Sequence, residues 1–200
     1  MKQIQRFLAV TLIISFSLIL TFPAVAQEVK GGQLDDFDNG TLAFSYPDGW
    51  EVNEYENVQL AIVYSEGSTA DLSDLAFDRD PNSYLIRLIA GDRYNDLGDV
   101  SGIVGYEFRA WLDYWVQDYD VLERSSVDAP IETGLLNDQP YAILTTYLES
   151  HDGVETQGVF IALEVQRGDY IVMAGFADDG DLETLQAVML QMAETVEISG

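Results

Sequence analysis

The 200-residue chain has no cysteine, a single histidine, and nine lysines and arginines against 35 aspartates and glutamates. Without cysteine there is neither a disulfide framework nor a thiol to carry a lipid anchor, so a hydrophobic core has to supply the stability. One histidine and no cysteine also exclude structural zinc in its common forms. The shortage of cations, with a net charge of -26, excludes the basic face that phosphate binding needs, so nucleic acid is not an expected partner. Long apolar runs are also scarce. The one candidate, Phe7 to Phe22, spans 16 positions and falls short of the roughly 20 residues that cross a bilayer.

That run sits between the basic pair Lys2 and Arg6 and the helix-breaking Pro23, and Ala24-Val25-Ala26 precedes Gln27. The arrangement is the tripartite pattern of a secretory signal peptide over residues 1–26, with the exported chain starting at Gln27. An uncleaved leader is the one expected means of membrane attachment, and the compartment is extracytoplasmic: secreted, periplasmic or cell envelope. Removing the leader takes away Lys2 and Arg6 and no acid, leaving 7 cations against 35 acids, or -28.

The remaining 174 residues suit one domain. Residues 27–40 read as a flexible acidic leader and 41–200 as the folded unit. Leu42, Phe44 and Tyr46 alternate toward one face, and Pro47-Asp48-Gly49 is a turn before Trp50 to Val52. Strands are also expected over Val58 to Tyr64 and over Tyr84 to Ala90. Between them Ser65 to Asn82 reads as a long loop. From Ser101 to Tyr119, the residues Val104, Phe108, Trp111, Leu112, Trp115, Val116 and Tyr119 recur at steps of three and four, which places one helical face inward. Strands over Tyr141 to Glu149, Val154 to Gln166 and Tyr170 to Ala177 are separated by turn signals and read as an antiparallel meander. Asp181 is the expected N-cap of a second helix striped by Leu182, Leu185, Val188, Met189, Met192 and Val196. The fold class is α+β: a mainly antiparallel sheet sandwiched by helices.

Three stretches carry a resemblance. Leu42-Ala-Phe-Ser-Tyr-Pro-Asp-Gly-Trp50, Leu136-Asn-Asp-Gln-Pro-Tyr-Ala142 and Gly168-Asp-Tyr-Ile-Val-Met-Ala-Gly-Phe176, in that order and spacing, are similar to the PsbP-like family. That family takes its name from an extrinsic subunit of the photosynthetic oxygen-evolving complex and shares its fold with a small nuclear-import factor. The resemblance covers roughly Thr41 to Ile198. It implies an α/β/α sandwich and a binding or assembly role without catalysis, and it assigns no site residue here.

Few residues offer chemistry. His151, in a Ser-His-Asp-Gly turn, is expected to be a solvated turn residue, since adjacency to Ser150 and Asp152 does not build a catalytic triad. Asp35 to Gly40 superficially matches a calcium loop but, aligned on its glycine, places Phe37 where an oxygen ligand belongs. Asp71, Asp74, Asp78 and Asp80 are weak candidates for a calcium site, and a solvated acidic loop accounts for them as well. No cofactor is otherwise expected and no catalytic residue is assigned. Tyr106, Arg109 and Tyr114, on the polar side of the first helix, have the composition of a contact patch for a protein partner. Covering a neighbouring loop would account for the tyrosines too.

The expected function is therefore an exported, non-enzymatic binding or assembly module. A hydrolase whose acids are hidden among the many, and a calcium-dependent surface protein, remain as alternatives. The acid excess yields a direct expectation: self-repulsion between carboxylates is screened by salt, so the melting temperature should rise from low to about molar salt. A melt independent of salt over that range would contradict it.

Overall fold

The computed structural model describes residues 33–55, 60–68, 83–91, 97, 99–119, 122–125, 130–150, 155–166, 168–178 and 180–199, with backbone alone at 91, 114–119, 122–125 and 148–150. The signal segment, the four aspartates from Asp71 to Asp80 and His151 lie outside the described residues. In chain order the elements are β1 (Leu34–Asp38), β2 (Leu42–Pro47), β3 (Glu51–Tyr55), β4 (Leu60–Tyr64), β5 (Leu85–Gly91), α1 (Val100–Tyr119), β6 (Leu122–Ser125), β7 (Glu132–Leu136), β8 (Gln139–Ser150), β9 (Glu155–Gln166), β10 (Asp169–Ala177), α2 (Leu182–Ala193) and β11 (Glu197–Ile198).

An eight-stranded antiparallel sheet runs in the order β3-β4-β5-β10-β9-β8-β6, and β7 also pairs with β8. A second, three-stranded sheet has the order β1-β2-β11. Hairpin connections make the pairing antiparallel, because no crossover intervenes between neighbours such as β8, β9 and β10.

The central strands of the large sheet, β4, β5, β8, β9 and β10, are apolar on both faces, and each face has its own core. On one face Tyr170, Val172, Ala174 and Phe176 of β10 meet Val104, Phe108, Trp111 and Leu112 of α1. Trp111 stacks on Phe176 at a centroid separation of 5.1 Å and sits edge-on to Phe160 at 5.8 Å. On the other face Ile171 and Met173 meet Leu185, Val188, Met189 and Met192 of α2, with Leu42 and Phe44 of the small sheet. A fully buried side chain such as Phe160 or Ile161 stabilises by about 1.5–3 kcal/mol, so these two layers hold most of the fold's stability. Gly175, on the α2 face of β10, has to be small. A Cβ there would overlap the Met189 sulfur and come within 3.0 Å of Leu185 Cδ1.

The expected α+β sandwich is the observed architecture, with three differences in detail. Leu34–Asp38, read from its acids as the end of a leader, is a strand paired with β2, with Phe37 packed on Phe44 at 5.0 Å. The acids project from an edge, where charge is tolerated and discourages further pairing. The stretch between α1 and the meander holds β6 and β7, which cover opposite ends of one side of β8. Asp181 makes no side-chain cap bond at α2 and contributes its carbonyl instead, accepting from the Leu185 N–H at 2.9 Å.

Candidate protein-binding surface

Helix α1 is the element that separates interior from surface. Its first turn is capped by Asp99, whose Oδ1 accepts the Gly102 N–H at 2.8 Å. From there the 3.6-residue period buries Val104, Phe108, Trp111 and Leu112 as expected, and leaves Tyr106, Arg109 and Asp113 outward. Tyr106 is 52% exposed. Of Tyr114 only the backbone is described, so its side chain lies outside the described residues.

The chain segments before α1 and before β7 both approach this helix at its glycines. At Gly105 a Cβ would stand 3.5 Å from Ile131 Cδ1, and at Gly102 it would stand 2.8 Å from the Leu97 carbonyl oxygen. Leu97 (37% exposed), Tyr106, Ile131 (38%) and Leu135 (68%) are the exposed large hydrophobics among the described residues. Ile131 therefore lies against the flank of α1 one residue from Tyr106 and one turn from Arg109. Leu135 follows along β7 on the same side, since successive residues of a strand alternate faces. The sequence period places Tyr106 and Arg109 outward, as observed, and does not single out Leu97, Ile131 and Leu135. The signal for the last two was an apolar pair at spacing four in a segment to which no element was assigned.

The opposite flank of α1 holds an ion pair. Glu107, 4% exposed, faces Arg87 of β5 with Nη2 to Oε2 at 3.5 Å. Arg87 pairs in register with Ala174 and Ile62, so it emerges on the α1 face among apolar neighbours. A charge in such surroundings needs its counter-charge. This pair too was missed, although Glu107 falls four residues after Ile103 and four before Trp111, on the inward stripe. Beyond it, the Tyr64 hydroxyl donates to Glu51 Oε2 at 2.8 Å, and Asn53 Nδ2 donates to the Tyr55 hydroxyl at 3.2 Å.

On the α2 side the Pro-Asp-Gly-Trp turn acts as a clasp. Gly49 takes a positive φ of 81°, which glycine adopts without steric cost, and Trp50 stacks on Tyr84 at 5.4 Å with 13° between the rings. The Tyr84 hydroxyl reaches Asp181 at the start of α2, which is where the carboxylate expected to cap the helix is engaged. Burial, followed by the charge of Asp181, holds the Tyr84 phenol above its ordinary value. The Asp38 and Asn39 side chains of the β1–β2 turn are occupied with backbone. Asp38 Oδ1 accepts the Gly40 N–H at 2.7 Å, and Asn39 Oδ1 accepts those of Thr41 and Leu42 at 2.9 and 2.8 Å. Among the described residues, no group of three or more His, Asp or Glu side chains is placed to hold a metal ion.

No family model matches the chain, and no curated protein matches it in sequence. Solved structures do match in shape. Cyanobacterial PsbP (CyanoP) of Synechocystis superposes with a TM-score of 0.54 at 17% identity, over 86% of this chain and 96% of that one. The Ran-binding protein Mog1p of Saccharomyces cerevisiae superposes with a TM-score of 0.51 at 8% identity, over 83% and 95% respectively. The chain thus has the PsbP-like fold, the one that Mog1p shares. At these identities the likeness is one of fold alone.

The Tyr84 clasp has a pH signature. Because the folded state raises the phenol's pKa, the folded state retains the proton where the unfolded chain releases it, so stability is complete below about pH 10 and is lost as the pH rises through the folded value. Tyr84→Phe should therefore show a shallower loss of stability above about pH 10 than the wild type. Denaturant melts across the alkaline range measure this, and identical slopes for the two proteins would contradict it.

Proposed function

We propose that this chain is an exported, non-catalytic module that binds another protein through the outer face of α1 and the adjoining β7. The observation that carries the reading is the gathering of Leu97, Tyr106, Ile131 and Leu135 around one flank, while side chains of similar size elsewhere in the described residues are covered. Contiguous exposed apolar groups beside a tyrosine and an arginine are the usual makings of a protein contact. The fold supports the same reading, since one protein that shares it, Mog1p, is named for the protein it binds. The net charge of -26 turns the surface away from nucleic acid and from anionic membranes.

Export rests on the pattern of residues 1–26. No helix of the described residues is long and apolar enough to cross a membrane, and the reading requires no cofactor. A chain tagged at its C-terminus, used as bait in the envelope fraction of its own cells, should retain a specific protein. Combining Tyr106→Ser with Arg109→Ala should reduce that recovery at least about tenfold while changing stability by less than about 0.5 kcal/mol. Retention of nothing above background, or equal retention by the variant, would contradict the reading.

A further inference from the structure

The edges of the two sheets are not treated alike. At one end of the large sheet, β3 presents Glu51, Asn53 and Glu54, and β1 of the small sheet presents Asp35, Asp36 and Asp38. Charges of this kind are how edge strands are kept from pairing with other chains. Strand β7 lacks that protection. Among the described residues it pairs with β8 alone, in the register Glu132↔Ile143, Thr133↔Ala142, Gly134↔Tyr141, Leu135↔Pro140 and Leu136↔Gln139. Its other edge carries Leu135 at 68% exposure, with Ile131 just before the strand at 38%.

The two faces of β7 differ in character. Thr133 is in register with Ala142 of the α1-side core, which puts Ile131, Thr133 and Leu135 on the α1 face. Glu132 is in register with Ile143 of the α2-side core and is exposed on the opposite face. Asp138, exposed in the turn that follows, adds a second carboxylate at the end of the strand. The edge is thus mainly apolar on one face, with Ile131 and Leu135 either side of Thr133, and on the other carries the carboxylate of Glu132 beside Gly134 and the half-buried Leu136, with Asp138 beyond the strand's end.

We propose that the edge of β7 away from β8, unpaired among the described residues, is a docking site for an extended segment of a protein partner, added as a further strand, in which apolar and basic side chains alternate. Backbone hydrogen bonds to β7 supply the register. The alternation places apolar side chains over Ile131 and Leu135 and basic ones toward Glu132 and Asp138, as the two-residue period of a strand requires. A second copy of this chain is a poor occupant, because two chains of net charge -26 repel and neither supplies a basic row. The inference rests on the protein-binding reading above and specifies its partner's chemistry.

The test uses the full-length chain and two synthetic peptides of identical composition: one alternates valine and lysine, and the other has its lysines and valines in separate blocks. The alternating peptide should bind, shift the backbone amides of β7 in NMR spectra, and outbind the block peptide at least about tenfold. Leu135→Lys should weaken it at least about tenfold, and the same charge change at Gln191→Lys, exposed on α2, by less than about twofold. Equal binding of both peptides, equal losses in both variants, or no binding would overturn the proposal, as would concentration-dependent dimerisation abolished by Leu135→Lys. If the partner captured from the envelope is retained equally by Leu135→Lys, the β7 edge fails while the protein-binding reading stands. If nothing is captured, the broader reading fails.

Discussion

Strand β10 is buried on both of its faces, and the placement of the other layers follows from that. A strand with solvent on neither side must be covered twice, and the two covers here are chemically distinct. On the α1 face the contacts are aromatic, with Trp111, Phe160 and Phe176 in mutual ring contact. On the α2 face they are aliphatic and thioether, with Met189 and Leu185 lying over Gly175. Rings need defined separations and angles, whereas methionine adapts to the gap it is given. The α1 layer is accordingly the one whose position is strictly set by geometry, and the residues on its outer surface inherit that position.

Much of this was legible in the sequence. A strict period of two over Leu42, Phe44 and Tyr46, and of 3.6 over Val104, Phe108, Trp111 and Leu112, places side chains that the structure buries or half-buries on those faces. The hairpin of β7 and β8 turns on Asn137 and Asp138, both at positive φ, and Asn137 Nδ2 also donates to the Glu194 carbonyl at 3.1 Å, tying the turn to the end of α2. The losses have physical causes. Five residues such as Leu34–Asp38, three of them acids, give no alternation signal, because an edge strand tolerates charge on both faces. Asp181 has the composition of a cap, but its side chain is engaged with Tyr84 and makes no cap bond. Glu107 stands on the inward stripe of α1 and was read as neither core nor surface, since its partner Arg87 is 20 residues earlier on a different element.

The candidate surface was half visible for a related reason. Tyr106 and Arg109 are outward by helical period alone, a local property. That Ile131 and Leu135 join them depends on where β7 sits against α1, which the topology decides. The fold makes this possible by using the two outer ends of the large sheet differently. The β3 end is edged with acids, whereas the β7 end keeps apolar side chains beside a helix. Binding in this account is a property of an edge and a flank, with the packed interior serving to hold them still.

Amide hydrogen exchange on the native chain measures the underlying claim directly. If β10 is the strand around which both cores close, the amides of Ile171 to Phe176 should exchange only through global unfolding, and more slowly than those of β1, β3 and β7. Exchange of the β10 amides at the rate of those edge strands, with stability otherwise intact, would contradict the account.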